Sequence, residues 1–370
     1  MVIFCVVVLI FMILMTLLLV YAERKVASHM QGRLGPMRVG FHGIFQPIAD
    51  VVKLLLKEDI ISKEANRKLF ILAPYVVFGS SFAVLAAVPF GAFFVAADFN
   101  IGAFYIIAIS SLVVLGLIMA GWASNNKWSM LSAMRSAAQL ISYEIPLGLS
   151  LLAVIMVVSS LSMQEIVGAQ EGWFWHWLVF RNPFLFLAFF IYFLSSVAEV
   201  NRNPFDIPEA ESELVAGFHT EYSGIRFAFF FLAEYINMFV VSAIATTLFL
   251  GGWNIGLPLD NILGTTAKGI PLHAARAILF VGKSLGLVFV MLWFRWTLPR
   301  LRVDQLMAVC WKYFIPIAFL NILGAGVWEL IFKEFKPITL VWLFVPVLII
   351  IIGLITAVAR RGASRETVLS

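Results

Sequence analysis

Nine stretches of this chain are each long and apolar enough to cross a lipid bilayer, and that limits the fold more than any other property of the sequence. They run roughly 2–21, 70–97, 102–124, 140–160, 182–200, 225–250, 274–297, 310–332 and 338–359. About 20 apolar residues cross the hydrocarbon core as a helix. Within lipid the backbone must pair internally, so only helices or a closed barrel can span. Barrel strands alternate apolar and polar residues, whereas these runs are continuously apolar. The expected fold is an all-α polytopic integral membrane protein, with 1–370 as a single membrane domain. The totals agree: 62% of residues are hydrophobic and 13% charged, against about half and a quarter in soluble domains. The first run has no basic residue ahead of it and is too long for a signal-peptide core, so it is expected to remain as a span.

Several function classes drop out. Cys5 and Cys310 are the two cysteines, too few for a disulfide framework or for an all-cysteine iron–sulfur cluster held by this chain alone. The five histidines (29, 42, 176, 219, 273) have no metal-ligand spacing, so no metal site is expected. GKS at Gly282–Ser284 lacks the first glycine of a phosphate loop (Ala277 stands there) and any preceding strand. GWFWHW at 172–177 reads as an interfacial tryptophan belt rather than a base-stacking platform. No nucleotide, flavin or nucleic-acid partner is indicated, and the net charge of +5 follows from topology.

With the N-terminus outside, connection 22–69 holds nine Lys and Arg residues, and the other inside connections and the tail hold Lys127, Arg135, Arg202, Arg300, Arg302, Arg360, Arg361 and Arg365. The outside connections hold only Arg181, Lys268, Lys333 and Lys336. The positive-inside rule therefore orients the chain, with the N-terminus outside and the C-terminus cytoplasmic.

Two inside connections stand out. Connection 22–69 is basic and broken early by Gly32, Gly35-Pro36, Gly40 and Gly43. Beyond it, 47–58 has Ile48, Val51, Val52 and Leu55 on one face and Asp50, Lys53 and Lys57 on the other, the pattern of a helix lying along the membrane. Connection 199–224, EVNRNPFDIPEAESELVAGFHTEYSG, holds Glu199, Asp206, Glu209, Glu211, Glu213 and Glu221 with one strong base, Arg202. Either it is a solvated acidic loop, or its acids are crowded and partly buried, in which case their protons leave in coupled steps.

Ionisable residues within spans are costly and mark function. Glu144 lies about 6 Å into the fourth span, Glu234 about 13 Å into the sixth from the inside, and Lys283 about 14 Å into the seventh from the outside. Glu234 and Lys283 are thus expected to interact near the midplane. Glu144, Glu199, the acidic stretch and Glu234 trace a proton or ion route, unless they are polar pairs locking helices together. Arg295, Arg300, Arg302 and Asp304 read as interface anchors at the inside end of span seven, and Glu329 as a boundary residue.

AERKVASHMQGRLGPMRVGFHGIFQPIADVVKLLLKED, ISYEIPLG, the acidic connection, FFFLAEYIN and RWTLPRLRVDQLM together resemble the H-subunit (subunit 1) family of proton-pumping NADH:quinone oxidoreductase, respiratory complex I. The likeness covers about 20 to 330 of the chain. It implies a core of eight helices, to which 338–359 adds an extra C-terminal one, and a role in forming the quinone-access chamber, anchoring the hydrophilic arm and coupling quinone reduction to proton translocation. The coupling residues it implies are Glu144, Glu199, Asp206, Glu209, Glu211, Glu213, Glu221 and Glu234, with Lys283 added from its depth; the chamber residues are Glu23, Arg24, Arg33, Gln46, Asp50, Arg202 and Phe218. Quinone would be the substrate, with flavin and iron–sulfur clusters in partner subunits and no cofactor bound by this chain alone. Partners would be other complex I membrane subunits, the quinone-site subunits of the arm, and lipid, in a bacterial inner membrane. Met37 and Phe41 depart from the family's GPNRVGP pattern. Two rival readings are the membrane anchor of an energy-converting hydrogenase or ferredoxin-linked complex, and a stand-alone ion transporter. Against the transporter, no internal repeat or matched pair of interrupted helices is visible.

Overall fold

The structure, a computed structural model, describes residues 2–91, 94–207, 216–256 and 270–332. Among these, seven helices are long and apolar enough to cross a membrane, and Pro183–Glu199 is a shorter apolar helix. The expected ninth span and Glu209, Glu211 and Glu213 lie outside the described residues.

Helix α1, Val2–Met30, runs past the expected end of the first span at 21. Hydropathy marks where lipid contact ends, not where helix ends. The segment AERKVASHM has no breaker before Gly32 (φ 65°), and its charged residues find protein partners. The turn that follows needs glycine at Gly43, where φ is 80° and a Cβ would lie 2.2 Å from the Pro36 carbonyl oxygen. Here Lys25 Nζ donates to the Pro36 carbonyl at 2.9 Å and meets Met37 Sδ at 3.3 Å. A helix forms over most of 47–58 as α2, Gln46–Leu56, with Pro47 in its first turn. Its Ile48, Val51, Val52 and Leu55 are exposed on this isolated chain.

Helix α3, Arg67–Leu85, is capped by the Asn66 side chain accepting from Leu69 N–H. It ends well short of 97, and 86–91 and 94–101 are irregular. Helices α4 (Gly102–Ser110) and α5 (Leu112–Ala123) form one span interrupted at Ser111. Helix α6, Lys127–Val158, is 32 residues long and capped by Asn126, so it absorbs most of the expected connection 125–139. Short helices α7 (Met163–Gly168) and α8 (Leu178–Arg181) lead to α9, Pro183–Glu199, which starts at an Asn182 cap with Pro183 in the first turn. Then come α10 (Gly224–Phe249), α11 (Ile270–Thr297), α12 (Val303–Ala308), a π turn at Val309–Phe314 and α13 (Ile315–Phe332). Gly282–Ser284 lies mid-helix in α11, where Ser284 Oγ donates to the Phe280 carbonyl.

Helix α10 is the pillar of the bundle, with every residue from Met238 to Phe249 buried; it packs on α1, α3, α9 and α11. Without a hydrophobic driving force between helices in lipid, close approach depends on small residues. At Gly116 a Cβ would stand 2.4 Å from Val77, and at Gly121 2.3 Å from the Ala133 Cβ, so α5 sits tightly on α3 and α6. Two buried apolar groups result. The larger joins α1, α4, α6, α9, α10 and α11. The smaller joins α3, α5 and α6 with Phe218, Tyr222 and Phe230. The polar residues of interest collect where these groups meet.

Candidate functional site

The end of α9 directs a charge inward. Asn201 takes a left-handed conformation (φ 54°), which asparagine tolerates better than most residues. Its N–H bonds the Ala198 carbonyl, and Arg202 N–H bonds the Val197 carbonyl, the paired bonds that close a helix end. Gln139 on α6 clamps the turn, Nε2 donating at 2.7 Å to the carbonyls of both Ala198 and Phe205. The C-terminal end of α11 is stitched on by Asn203 Nδ2 to the Arg295 carbonyl at 2.9 Å, by Leu301 N–H to the Pro204 carbonyl, and by Arg300 to the Asp206 carbonyl.

This turn holds Arg202, 3% exposed, between two carboxylates. Its Nη1 donates to Glu23 at 3.2 Å, and its Nε stands 2.9 Å from Glu234 Oε1. Glu23 also receives Arg295, and the guanidinium lies 4.6 Å from the Tyr235 ring centre. Two cations thus balance two carboxylates drawn from α1, α10, α11 and the acidic connection. Burial works against the charge on Arg202, but the Glu234 and Glu23 carboxylates outweigh it and hold the guanidinium above the ordinary arginine range. Nη2 is buried without a hydrogen-bond partner among the described residues, so the cluster is paired in charge yet not saturated in hydrogen bonds.

Cavities lie on both sides of Arg202. On one side Glu23, Arg24, Arg33, Tyr235, Phe231 and Trp296 help line a space of about 360 Å³. On the other, Glu234, Glu199, Asn237 and His219 help line about 60 Å³. A further cavity of about 40 Å³ is lined by Glu144 and Glu199 along with Ser110, Tyr192 and Asn237. Glu199 therefore lines a cavity with Glu144 and another with Glu234. Beside the second, burial between the Phe218 and Phe227 rings pushes the His219 imidazole down to about 4.

Other expected residues fall elsewhere. Arg24 pairs with Asp50 at 2.5 Å and Gln46 reaches Asp50 at 3.4 Å, tying α1 to α2 at the edge of the larger cavity. Arg33 lines that cavity while its Nε donates to Gln31. Phe218, expected at the chamber, lines the 60 Å³ cavity instead, its carbonyl accepting from Ser129. Glu221 accepts from Asn126 at 2.8 Å, tying the connection to the start of α6.

The expected Glu234–Lys283 pair is not formed. Glu234 is beside Arg202, while Lys283 Nζ donates to the carbonyls of Leu250 (2.7 Å), Gly252 (3.1 Å) and Asn254 (2.5 Å) and lies 4.2 Å from the Trp177 ring centre. Leu250 is about 24 Å along α10 from Glu234. Residue counting puts the two at one depth because α11 begins at Ile270 and its first turns stand beyond the end of α10. Glu329 pairs with Arg181 at 2.9 Å, joining α13 to α8. Arg295, read from sequence as an interface anchor, is a half-buried member of the charge cluster, paired with Glu23. Tyr235, Asn237, Gln139 and His219 are site residues that the sequence does not single out; for Tyr235 and Asn237 the nearby signal is Glu234, whose helix face they flank.

A helical membrane bundle with a charge cluster at one end, set between a wide cavity and two small acid-lined ones, is the class of protein that fold and site define. A family model described as NADH dehydrogenase matches residues 3–326. Proteins named as the H subunit of NADH-quinone oxidoreductase are similar to the chain: one from Chlorobaculum tepidum is 51% identical over 315 residues, covering 84% of this chain and 86% of its own. One from Anaeromyxobacter dehalogenans is 49% identical over 320 residues, covering 84% and 78%; one from Bacillus cytotoxicus is 50% identical over 315 residues, covering 85% and 89%. The chain belongs to the NADH dehydrogenase family that includes these proteins.

Proposed function

We propose that the chain is a membrane subunit of an NADH:quinone oxidoreductase, that its 360 Å³ cavity is part of the quinone-access chamber, and that its acids couple quinone reduction to proton translocation. It contributes no redox centre; electrons come from flavin and iron–sulfur clusters in partner subunits of the hydrophilic arm. It lies in a bacterial inner membrane with the N-terminus outside and the C-terminus cytoplasmic. The basic connection 22–69 and α2 then face the arm and the lipid headgroups, and the acidic connection 199–224 lies on the same side.

One observation carries this reading: Arg202 touches Glu23 in the wall of the wide cavity and Glu234 in the wall of an acid-lined one. Two-electron reduction of a quinone consumes two protons and develops negative charge beforehand. A unit charge about 4 Å away at an effective dielectric near 20 is worth about 4 kcal/mol, enough to shift a neighbouring carboxyl by several pH units. That charge draws the Arg202 guanidinium toward Glu23 and the wide cavity and loosens its ion pair with Glu234. Glu234, no longer held by the guanidinium, accepts a proton from the Glu199 and Glu144 side. When the quinone is protonated the guanidinium returns and Glu234 gives the proton up. The under-bonded guanidinium makes this exchange inexpensive, since neither arrangement breaks a saturated network.

The test uses the tagged chain extracted with its partners in mild detergent. NADH-dependent quinone reduction, blocked by quinone-site inhibitors, is expected. In proteoliposomes, Glu234→Gln and Glu199→Gln are each expected to abolish proton translocation. Wild-type translocation by both variants would overturn the coupling route. Hydrogen- or ferredoxin-linked turnover without NADH activity would move the chain to the sister class of membrane anchors.

A further inference from the structure

The two small cavities share Asn237, together with Val113, Glu199 and Val200. Asn237 lies on α10 three residues beyond Glu234, so the two are neighbours on one helix face. Its carboxamide makes no hydrogen bond to another described residue. At this depth an unpaired amide is costly unless water pairs with it. A second group points the same way: His219 Nδ1 is buried without a partner among the described residues, and its ring lines the 60 Å³ cavity. A polar site needs roughly 10–15 Å³ to hold one water. Cavities of about 40 and 60 Å³ therefore have room for several.

We propose that Asn237 is a positioning residue at the neck between the two cavities, its amide donating to and accepting from water that carries protons between Glu234 and Glu199. This rests on the coupling route proposed above. An amide suits the position because it is donor and acceptor at once and does not titrate, so it orients water without trapping a proton. In each hop one O–H bond breaks on a water or carboxyl as another forms on the next oxygen, and the amide keeps all its atoms. Val113 and Val200 line the neck as well, so the polar side chains shared by the two cavities are Asn237 and Glu199, and Asn237 is the one of the two that does not titrate.

The test compares Asn237→Leu, Asn237→Ala and Asn237→Ser in the intact assembly, normalised to assembled complex, by NADH-driven proton translocation in proteoliposomes. Leucine nearly matches the shape of asparagine but presents methyl groups to the neck. Alanine and serine leave space for water. The proposal expects about a tenfold or larger loss of translocation rate for Leu, a smaller loss for Ala, near wild-type rate for Ser, and an unchanged KM for quinone in all three. A packing role gives the opposite order, with Leu better than Ala, and that order, or wild-type translocation by Leu, overturns the proposal. If Asn237→Leu does not assemble, Asn237→Met is read by the same criterion. Glu199→Gln and Glu234→Gln run alongside. If those abolish translocation while Asn237→Leu does not, only the neck assignment fails; if they too translocate normally, the underlying route fails.

Discussion

Replacing Lys283 by methionine separates two roles for a lysine inside a membrane helix. In the structure its ammonium closes the C-terminal end of α10 by donating to the carbonyls of Leu250, Gly252 and Asn254. Hydrogen bonds to a charged group contribute about 1.5–3 kcal/mol each. Methionine keeps the stem's packing against Trp177 and removes all three bonds, while relieving the desolvation of the charge. The net loss is about 2–4 kcal/mol for the local structure. The affected segment is compact, since Gln170 also bonds Gly251 N–H and the Thr247 carbonyl. Hydrogen exchange on the purified assembly reads the loss directly. For a local opening free energy reduced by 2–4 kcal/mol, the amides of 250–254 are expected to exchange roughly 30- to 1,000-fold faster. Proton translocation per intact complex is expected to stay near wild type, and Lys283→Arg to keep much of the protection. Unchanged exchange together with abolished translocation would refute the reasoning and return Lys283 to the proton route.

Arg202→Met leaves Glu23 and Glu234 without their shared cation, and is expected to destabilise the assembly by about 3–5 kcal/mol, seen as less intact complex on native gels; Arg202→Lys is expected to rescue only part, lacking the fork that reaches both carboxylates. Asn201→Ala is expected to cost about 1–2 kcal/mol because alanine is strained in the left-handed conformation, whereas Asn201→Gly should be near neutral; thermal inactivation of quinone reduction reports both. Gly121→Ala puts a Cβ 2.3 Å from that of Ala133 and is expected to cost about 1–3 kcal/mol by parting α5 from α6, with the same readout. His219 favours its neutral form in the fold, at about 4 against about 6.5 unfolded. The unfolded chain therefore binds more protons between these values, and stability from this group, on the order of 3 kcal/mol, is present above about 6.5 and lost as pH falls toward 4. His219→Phe is expected to flatten the acid side of the inactivation profile in that window; an unaltered difference from wild type there would remove the basis for the prediction.

The bundle itself was legible in the sequence because lipid imposes a simple rule. Apolar runs of sufficient length must be helices, and eight of the nine expected spans correspond to described helices. A helix after α1 was legible from the two-faced pattern of 47–58, and α2 spans Gln46–Leu56. Helix ends were less so. The extensions of α1 to Met30 and of α6 back to Lys127 carry polar residues that hydropathy assigns to water, although Glu23 and Ser129 are buried against protein. Single acids could be flagged from sequence because any charge in a span is costly, and Glu144, Glu199 and Glu234 do line cavities.

Their partners depended on how the helices stack. Depth counted along separate helices pairs Glu234 with Lys283, but α10 and α11 are offset, so the lysine meets carbonyls at one end of α10 while the glutamate meets Arg202 at the other. Arg295 reads as an anchor until the end of α11 is seen against α1, where it reaches Glu23. The sequence by itself determined that the chain is a helical membrane bundle with acids inside its spans, since burial of oil and cost of charge are local properties. Only the tertiary structure decided which charge neutralises which and where water has room, because ion pairing falls off over a few ångströms and those distances are set by helices far apart in the chain.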